Sequence, residues 1–271
     1  MIAIYCFLIV AVCHLSAAYA VEKVVSLDYC ADQYILSLAD RSQIMALSRD
    51  ATKSHSFYAE QAQGIPKFGS SAEEVLHMNP DLVVRYWGGR KFLDVLKKAH
   101  IPVASPLYGN GSATLYKNLR LVGKALGQEQ RAETMIVEHQ QRYEALRGKP
   151  KMALRAAYIT PGGTTAGVGT FVDDTLRLAG LQSVAAEFGL RGWQDFPLEA
   201  LVQNPPDIII GSFFDLENPR VANWSIARHK RIQKMMVEIP TILVPGRYLS
   251  CNGIFTLEAA EYIRKMVGKL W

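Results

Sequence analysis

One unit is written twice in this chain, about half its length apart. The first copy runs Glu73-Glu74-Val75-Leu76-His77-Met78-Asn79-Pro80-Asp81-Leu82-Val83-Val84, the second Glu199-Ala200-Leu201-Val202-Gln203-Asn204-Pro205-Pro206-Asp207-Ile208-Ile209-Ile210. In each copy a glutamate stands seven residues before a proline. A short apolar helical turn follows, then a Pro-Asp breaker, then an unbroken apolar run. Such a run after a turn reads as a strand buried on both faces, the kind found in parallel sheets. Each strand runs into aromatics, Tyr86-Trp87 in one copy and Phe213-Phe214 in the other. Two copies this far apart point to two similar lobes, because solenoid repeats recur every ~20–50 residues.

The rest of the chain fits that plan. Val24–Leu27, Gln43–Leu47, Asp81–Arg85 and Pro102–Ala104 read as strands, with helices expected at Ala31–Ala39 and Lys91–Ala99. Asp28 is placed to cap the first of these helices. Residues 48–70 are polar and irregular. After residue 150 the alternation resumes. Strands are expected at Ala153–Ile159, Ser183–Ala186, Asp207–Gly211 and Thr241–Val244, and helices at Val172–Ala179, near 223–236 and from about Leu257 to Leu270. Pro161–Gly167 reads as a loop. This β-α alternation is the signature of a parallel sheet flanked by helices.

Residues 113–147 differ: they lack proline and carry two helical patterns broken near Gly127. A helix of about 20 residues spans roughly 30 Å, enough to bridge two lobes stiffly. The expected fold class is therefore α/β, with two similar lobes, each a mainly parallel sheet flanked by helices, joined by a long rigid helix over a ligand cleft. The expected boundaries are a leader at 1–20, a first lobe at 21–112, a helical connection at 113–150 and a second lobe at 151–271.

The leader reading rests on an apolar stretch from Ile2 to Ala17 followed by Ala18-Tyr19-Ala20. Small residues at −3 and −1 match signal peptidase, so cleavage is expected before Val21, with export of the mature chain. Cys13 lies inside the stretch and no cysteine follows it at a lipoprotein-type position. The mature chain then keeps two cysteines, Cys30 and Cys251, which in an oxidising compartment form a disulfide candidate. Bridging requires Cα atoms within about 7 Å, and free thiols facing a ligand are the alternative.

A net charge of +5 without basic runs argues against nucleic acid as a partner. No Gly-x-Ser-x-Gly elbow, P-loop or His-Glu-x-x-His occurs. The histidines after the leader (His55, His77, His100, His139 and His229) are neither paired at i,i+4 nor clustered with cysteine, so no metal site of the protein's own is expected. Open parallel sheets bind ligands beyond the carboxyl ends of their strands. That rule selects Tyr29, Cys30, Arg85, Tyr86, Trp87 and Tyr108 in the first lobe. In the second it selects Thr165, Phe213, Phe214, Arg247, Tyr248 and Cys251. Aromatics supply apolar area with a polar handle, and arginines a fork for an anionic group.

The segment Val24-Val25-Ser26-Leu27-Asp28-Tyr29-Cys30-Ala31-Asp32-Gln33 and the two Glu…Pro-Asp units together resemble the periplasmic substrate-binding proteins of ABC importers, in the branch that carries vitamin B12, ferric siderophores and haem. The resemblance covers essentially all of the chain after the leader. It implies a monomeric periplasmic protein, no enzyme and without a resident cofactor, that captures a metal chelate between its lobes with limited hinge motion. It also implies that Glu73 and Glu199 meet arginines on the membrane permease that works with its ATPase; the alternative is that both are acids favoured at a helix start. Capture of a metal oxyanion, or a chelatase-like enzyme of related fold, are the rival readings.

Overall fold

The computed structural model describes residues 21–69, 71–109, 111–213 and 230–270. In the first lobe these form β1 (Val24–Ser26), α1 (Tyr29–Leu38), β2 (Ile44–Ser48), β3 (Lys67–Phe68), α2 (Ala72–Met78), β4 (Leu82–Val84), α3 (Arg90–Lys98) and β5 (Val103–Ala104). The five strands make one parallel sheet in the order β3-β2-β1-β4-β5. Successive strand residues point to opposite faces. Val24, Leu82 and Val84 accordingly pack with α1 residues such as Ile35 and Leu38, whereas Val25, Val83 and Ala46 pack with Val75 and Leu96 on the other side. Cores on both faces favour apolar or small residues all along the central strands, which is why the runs of β1 and β4 do not alternate.

Two helices follow, α4 (Gly111–Leu126) and α5 (Glu129–Arg147). They are broken at Gly127 (φ 71) and fold back on each other. Arg120 pairs with Glu133, and the Tyr116 hydroxyl meets His139 Nδ1 at 2.9 Å. A Cβ at Gly123 would collide with that of Ala132, so glycine permits this close approach. The α4 residues Leu115, Leu119, Val122 and Leu126 belong to the core of the first sheet. Helix α5 touches both lobes. At one end Arg131 donates to the Leu38 carbonyl and pairs with Asp40. At the other Arg142 pairs with Glu258 and Glu261, and Leu146 enters the second core. With 19 residues α5 is about 28 Å long.

The second lobe holds β6 (Arg155–Ile159), β7 (Thr164–Ala166), α6 (Phe171–Leu178), β8 (Gln182–Ser183), α7 (Val184–Glu187), β9 (Trp193–Asp195), α8 (Leu198–Gln203), β10 (Ile208–Ser212), α9 (Lys230–Glu238), β11 (Thr241–Val244) and α10 (Thr256–Leu270). Its main sheet is parallel, in the order β11-β10-β6-β8. Ala156, Tyr158, Ile208 and Ile210 face α6 and α10, while Ala157, Ile159 and Ile209 face the opposite layer.

The repeated Pro-Asp step has the same structural role in both lobes. Asp81 Oδ2 accepts from the backbone N–H groups of Glu22 and Lys23, and the Asp81 N–H donates to the Lys23 carbonyl. Asp207 Oδ2 accepts from the Arg155 N–H, and the Asp207 N–H donates to the Arg155 carbonyl. Each aspartate thus ties the start of β4 or β10 to the neighbouring central strand, and Pro80 and Pro206 are buried beside it.

Three local readings change. Ser183–Ala186 is not a strand: β8 ends at Ser183, whose side chain accepts from the Ala186 N–H and caps α7. The loop expected at Pro161–Gly167 contains β7, which pairs antiparallel with β9. The helix expected near 223–236 is described from Lys230 to Glu238, its earlier residues lying outside the described ones, as do residues 1–20, where the leader is expected.

Candidate functional site

The site is assembled at the carboxyl end of β1, where Asp28 is the organising residue. Its backbone is extended, and its Oδ1 accepts from the N–H groups of Cys30 and Ala31 at 3.1 and 2.9 Å, capping α1. Its Oδ2 accepts from the N–H groups of Tyr86 and Trp87 at 2.7 and 3.0 Å. One carboxylate therefore fixes both the start of α1 and the aromatic loop after β4. Burial raises the Asp28 carboxyl above its ordinary value, with the four N–H donors opposing that shift.

The loop held by Asp28 presents an aromatic wall. Tyr86 and Trp87 meet edge-on with ring centres 4.9 Å apart, and Trp87 lies 5.6 Å from Tyr108. Trp87 and Tyr108 are 43% and 64% exposed, so their faces are open to the cleft. The second lobe supplies Phe171 and Trp193, 5.6 Å apart, together with Phe213. Between the walls is a cavity of about 240 Å³. Tyr29, Cys30, Gly109, Leu249, Ser250, Cys251 and Asn252 complete its lining. Burial pushes the Tyr86 phenol up to about 12 and raises Tyr29, which also feels the negative charges of Asp28 and Asp50. Both hydroxyls therefore stay protonated near neutral pH and act as hydrogen-bonding groups rather than phenolates.

Cys30 and Cys251 are joined by a disulfide, with Cα atoms 5.7 Å apart. Both are almost fully buried, so the alternative of free thiols facing a ligand is replaced by a covalent link between the lobes.

Of the residues expected at the cleft, Tyr29, Cys30, Tyr86, Trp87, Tyr108, Phe213 and Cys251 line it. Four others do not. Arg85 is 4% exposed and turns back on its own loop, donating to the Trp87 and Gly89 carbonyls and lying over the Phe92 ring. Gly88, at φ 126, leaves room for that guanidinium. Thr165 is buried, its hydroxyl donating to the Tyr158 carbonyl. Arg247 lies over the Tyr248 ring, and Tyr248 packs on the second core. Of the two arginines expected to offer an anion fork, Arg85 is thus engaged in its own loop, whereas Arg247 is exposed but not part of the cavity lining. Phe214 lies outside the described residues.

Phe171 and Trp193 were not legible as cleft residues. Phe171 opens α6 behind its cap, Thr170, and looks like an ordinary helix residue. Trp193 reaches the cleft because β7 and β9 pair, and neither strand follows the parallel βα pattern.

Glu73 and Glu199 stand in the first turns of α2 and α8, both exposed. In α2 the capping box is formed by Ser71 and Glu74, not Glu73. No described hydrogen bond or ion pair engages Glu73 or Glu199, and no described helix is long and apolar enough to cross a membrane.

Two parallel-sheet lobes, bridged by one helix and facing each other across an aromatic cavity, define a two-lobe cleft protein. The family profile described as periplasmic binding protein matches residues 24–243, and the chain belongs to that family. Among solved structures it is similar to the periplasmic heme-binding protein HutB of Vibrio cholerae, with a TM-score of 0.74 and 19% identity over 90% of this chain and 98% of that one. The periplasmic heme-binding protein RhuT from Roseiflexus sp. RS-1 gives 0.70 and 22% identity over 91% of this chain and 99% of that one. The molybdate periplasmic binding protein MolA of Haemophilus influenzae gives 0.71 and 16% identity, over 93% and 87%. At these identities the likeness is one of fold. A curated relative, the uncharacterized ABC transporter substrate-binding lipoprotein YvrC of Bacillus subtilis, is 23% identical over 192 residues, 65% of this chain. The chain spans 58% of that relative's length.

Proposed function

We propose that this chain is the capturing component of an ABC-type importer. It is exported with a leader cleaved before Val21 and acts as a periplasmic monomer. It takes a metal chelate, such as a ferric siderophore, a corrinoid or haem, into the cleft between its lobes. No bond is made or broken; the protein holds the chelate and gives it up at the permease, through a difference in affinity between the free and docked states. The observation that carries this reading is the convergence of aromatic rings from both lobes on one cavity: Tyr86, Trp87 and Tyr108 against Phe171, Trp193 and Phe213. Opposed aromatic walls offer large apolar faces to a broad, flat ligand, and tyrosine hydroxyls give it polar contacts. Exposed glutamates at matching places in both lobes support docking by charge, which orients a complex more than it tightens it. Capture of a metal oxyanion loses the support of Arg85, whose guanidinium is engaged in its own loop, and Arg247 does not line the cavity.

The test is a tryptophan-quenching titration of the purified mature protein with ferric siderophores, cyanocobalamin and hemin. Binding of at least one with Kd below about 10 μM, roughly −7 kcal/mol, is expected. Trp87→Ala and Trp193→Ala should each weaken it. If none of the three binds at that level, the metal-chelate reading fails.

A further inference from the structure

Among the described residues, two junctions between the lobes stand out. One junction is α5, pinned at Arg131 in the first lobe and at Arg142 in the second. The other lies at the base of the cleft, where residues 249–255 of the second lobe enter the first. Cys251 is bonded to Cys30, 221 residues away in sequence. Phe255 stacks on Phe57 with ring centres 4.6 Å apart. Around them Cys30, Cys251 and Phe255 form a small core of their own, with Tyr29, Phe57, Tyr86 and Ile254 packed against it. Polar groups hold the same segment. The Tyr34 hydroxyl donates to the Asn252 carbonyl at 3.3 Å, and the Asn252 amide donates to the carbonyls of Gly109 and Gly111.

A single helical junction, however stiff, still lets the lobes bend about its ends. A second tie, displaced from the first, removes most of that freedom. The position of this tie matters for the cavity. Tyr29 precedes Cys30 on one wall, and Ser250 and Asn252 flank Cys251 on the other, all of them lining residues. We propose that Cys30 and Cys251 are positioning residues of the cleft, their disulfide acting as a strap that holds the two aromatic walls at one separation. Dispersion contacts fall off steeply with distance, and a gap of 0.5–1 Å already forfeits roughly a quarter to a half of each. A cleft that grips a flat ligand between two aromatic faces therefore needs a fixed width. The strap is a property of the two lobes alone, so it holds whether or not the ligand is a chelate.

The experiment compares the full-length mature protein with its Cys30→Ala/Cys251→Ala variant, with no ligand added. Spin labels are attached through p-acetylphenylalanine at Lys91 in α3 and Asp195 in β9, both exposed and on opposite lobes. Pulsed dipolar spectroscopy then reads the distance between them. A single narrow distribution is expected for the parent, and at least a doubling of its width in the variant. A disulfide that serves only stability would lower the melting temperature and leave the distribution unchanged, and that result overturns the proposal. Should the double alanine variant not fold, Cys30→Ala/Cys251→Val restores part of the lost volume and carries the same comparison. A parent whose distribution is already as broad as the variant's also overturns it.

Discussion

Replacing Asp28 with asparagine separates its two duties. Asparagine caps helices as well as aspartate does, so the cap of α1 has no intrinsic reason to fail. The carboxylate, however, accepts from four N–H groups, two on each oxygen. An amide has one acceptor oxygen. Whichever way it turns, its NH2 faces a pair of backbone donors, either Cys30 and Ala31 or Tyr86 and Trp87. Hydrogen bonds to a charged group contribute roughly 1.5–3 kcal/mol each, so losing two costs about 3–6 kcal/mol. Removing a carboxylate whose ionised form is disfavoured by burial offsets part of this. A net loss of about 2–3 kcal/mol is expected, and about 1 kcal/mol more for Asp28→Ala, which also forfeits the cap. For a chain of this size roughly 2–4 °C of Tm accompanies each kcal/mol. Calorimetry should therefore show Asp28→Asn melting about 4–12 °C lower, with alanine lower still. Native-state hydrogen exchange should place the loss locally, with faster exchange at Tyr86 and Trp87, or at Cys30 and Ala31. An asparagine variant melting within about 1 °C of the parent, with unchanged exchange at all four amides, would refute the assignment of Asp28 as the joint between helix and aromatic loop.

Two buried groups should give opposing pH dependences. Burial raises Asp32 to about 6 despite its bonds from Ser48, so its contribution falls as pH rises between roughly 4 and 6, where the folded state holds a proton the unfolded chain has released. Burial, with Arg142 nearby, lowers His139 to about 4, so its contribution rises over roughly pH 4 to 6.5. Denaturant titrations across this range should show Asp32→Asn steepening the gain in stability with pH, and His139→Gln reversing or flattening it; unchanged slopes in both would refute the assignments. Gly88→Ala should be far more costly than Gly89→Ala. The first places a Cβ against the Arg85 guanidinium at φ 126, while the second meets open space. We expect about 2 kcal/mol or more against about 1 kcal/mol or less, read from urea midpoints. Equal midpoints would mean that Arg85 does not fold back under the loop.

Much of the fold was legible because burial on both faces of a sheet must be written locally. Val24–Ser26, Leu82–Val84 and Ile208–Ser212 have a layer of helices on either side, so every position in them is apolar or small, and no distant partner is needed to see it. Asp28 was readable as a cap for the same reason, since the donors it satisfies lie two and three residues away. Its second duty, toward Tyr86 and Trp87, spans 58 and 59 residues and leaves no periodic trace. The cleft divides along the same line. The rule that ligand sites lie beyond the strand ends found Tyr29, Tyr86, Trp87, Tyr108 and Phe213 for the cavity wall. It could not show that Arg85 turns away beneath a glycine, nor that β7 and β9 pair and carry Trp193 into the wall. It left Cys30 and Cys251 either bonded or free, because whether two thiols meet across 221 residues depends on how two lobes are set against each other. Periodicity and capping act over a few residues and so are determined by sequence alone. The directions of side chains at strand ends, and the spacing of the two walls, are fixed by contacts between segments far apart in the chain, and only the folded molecule decides them.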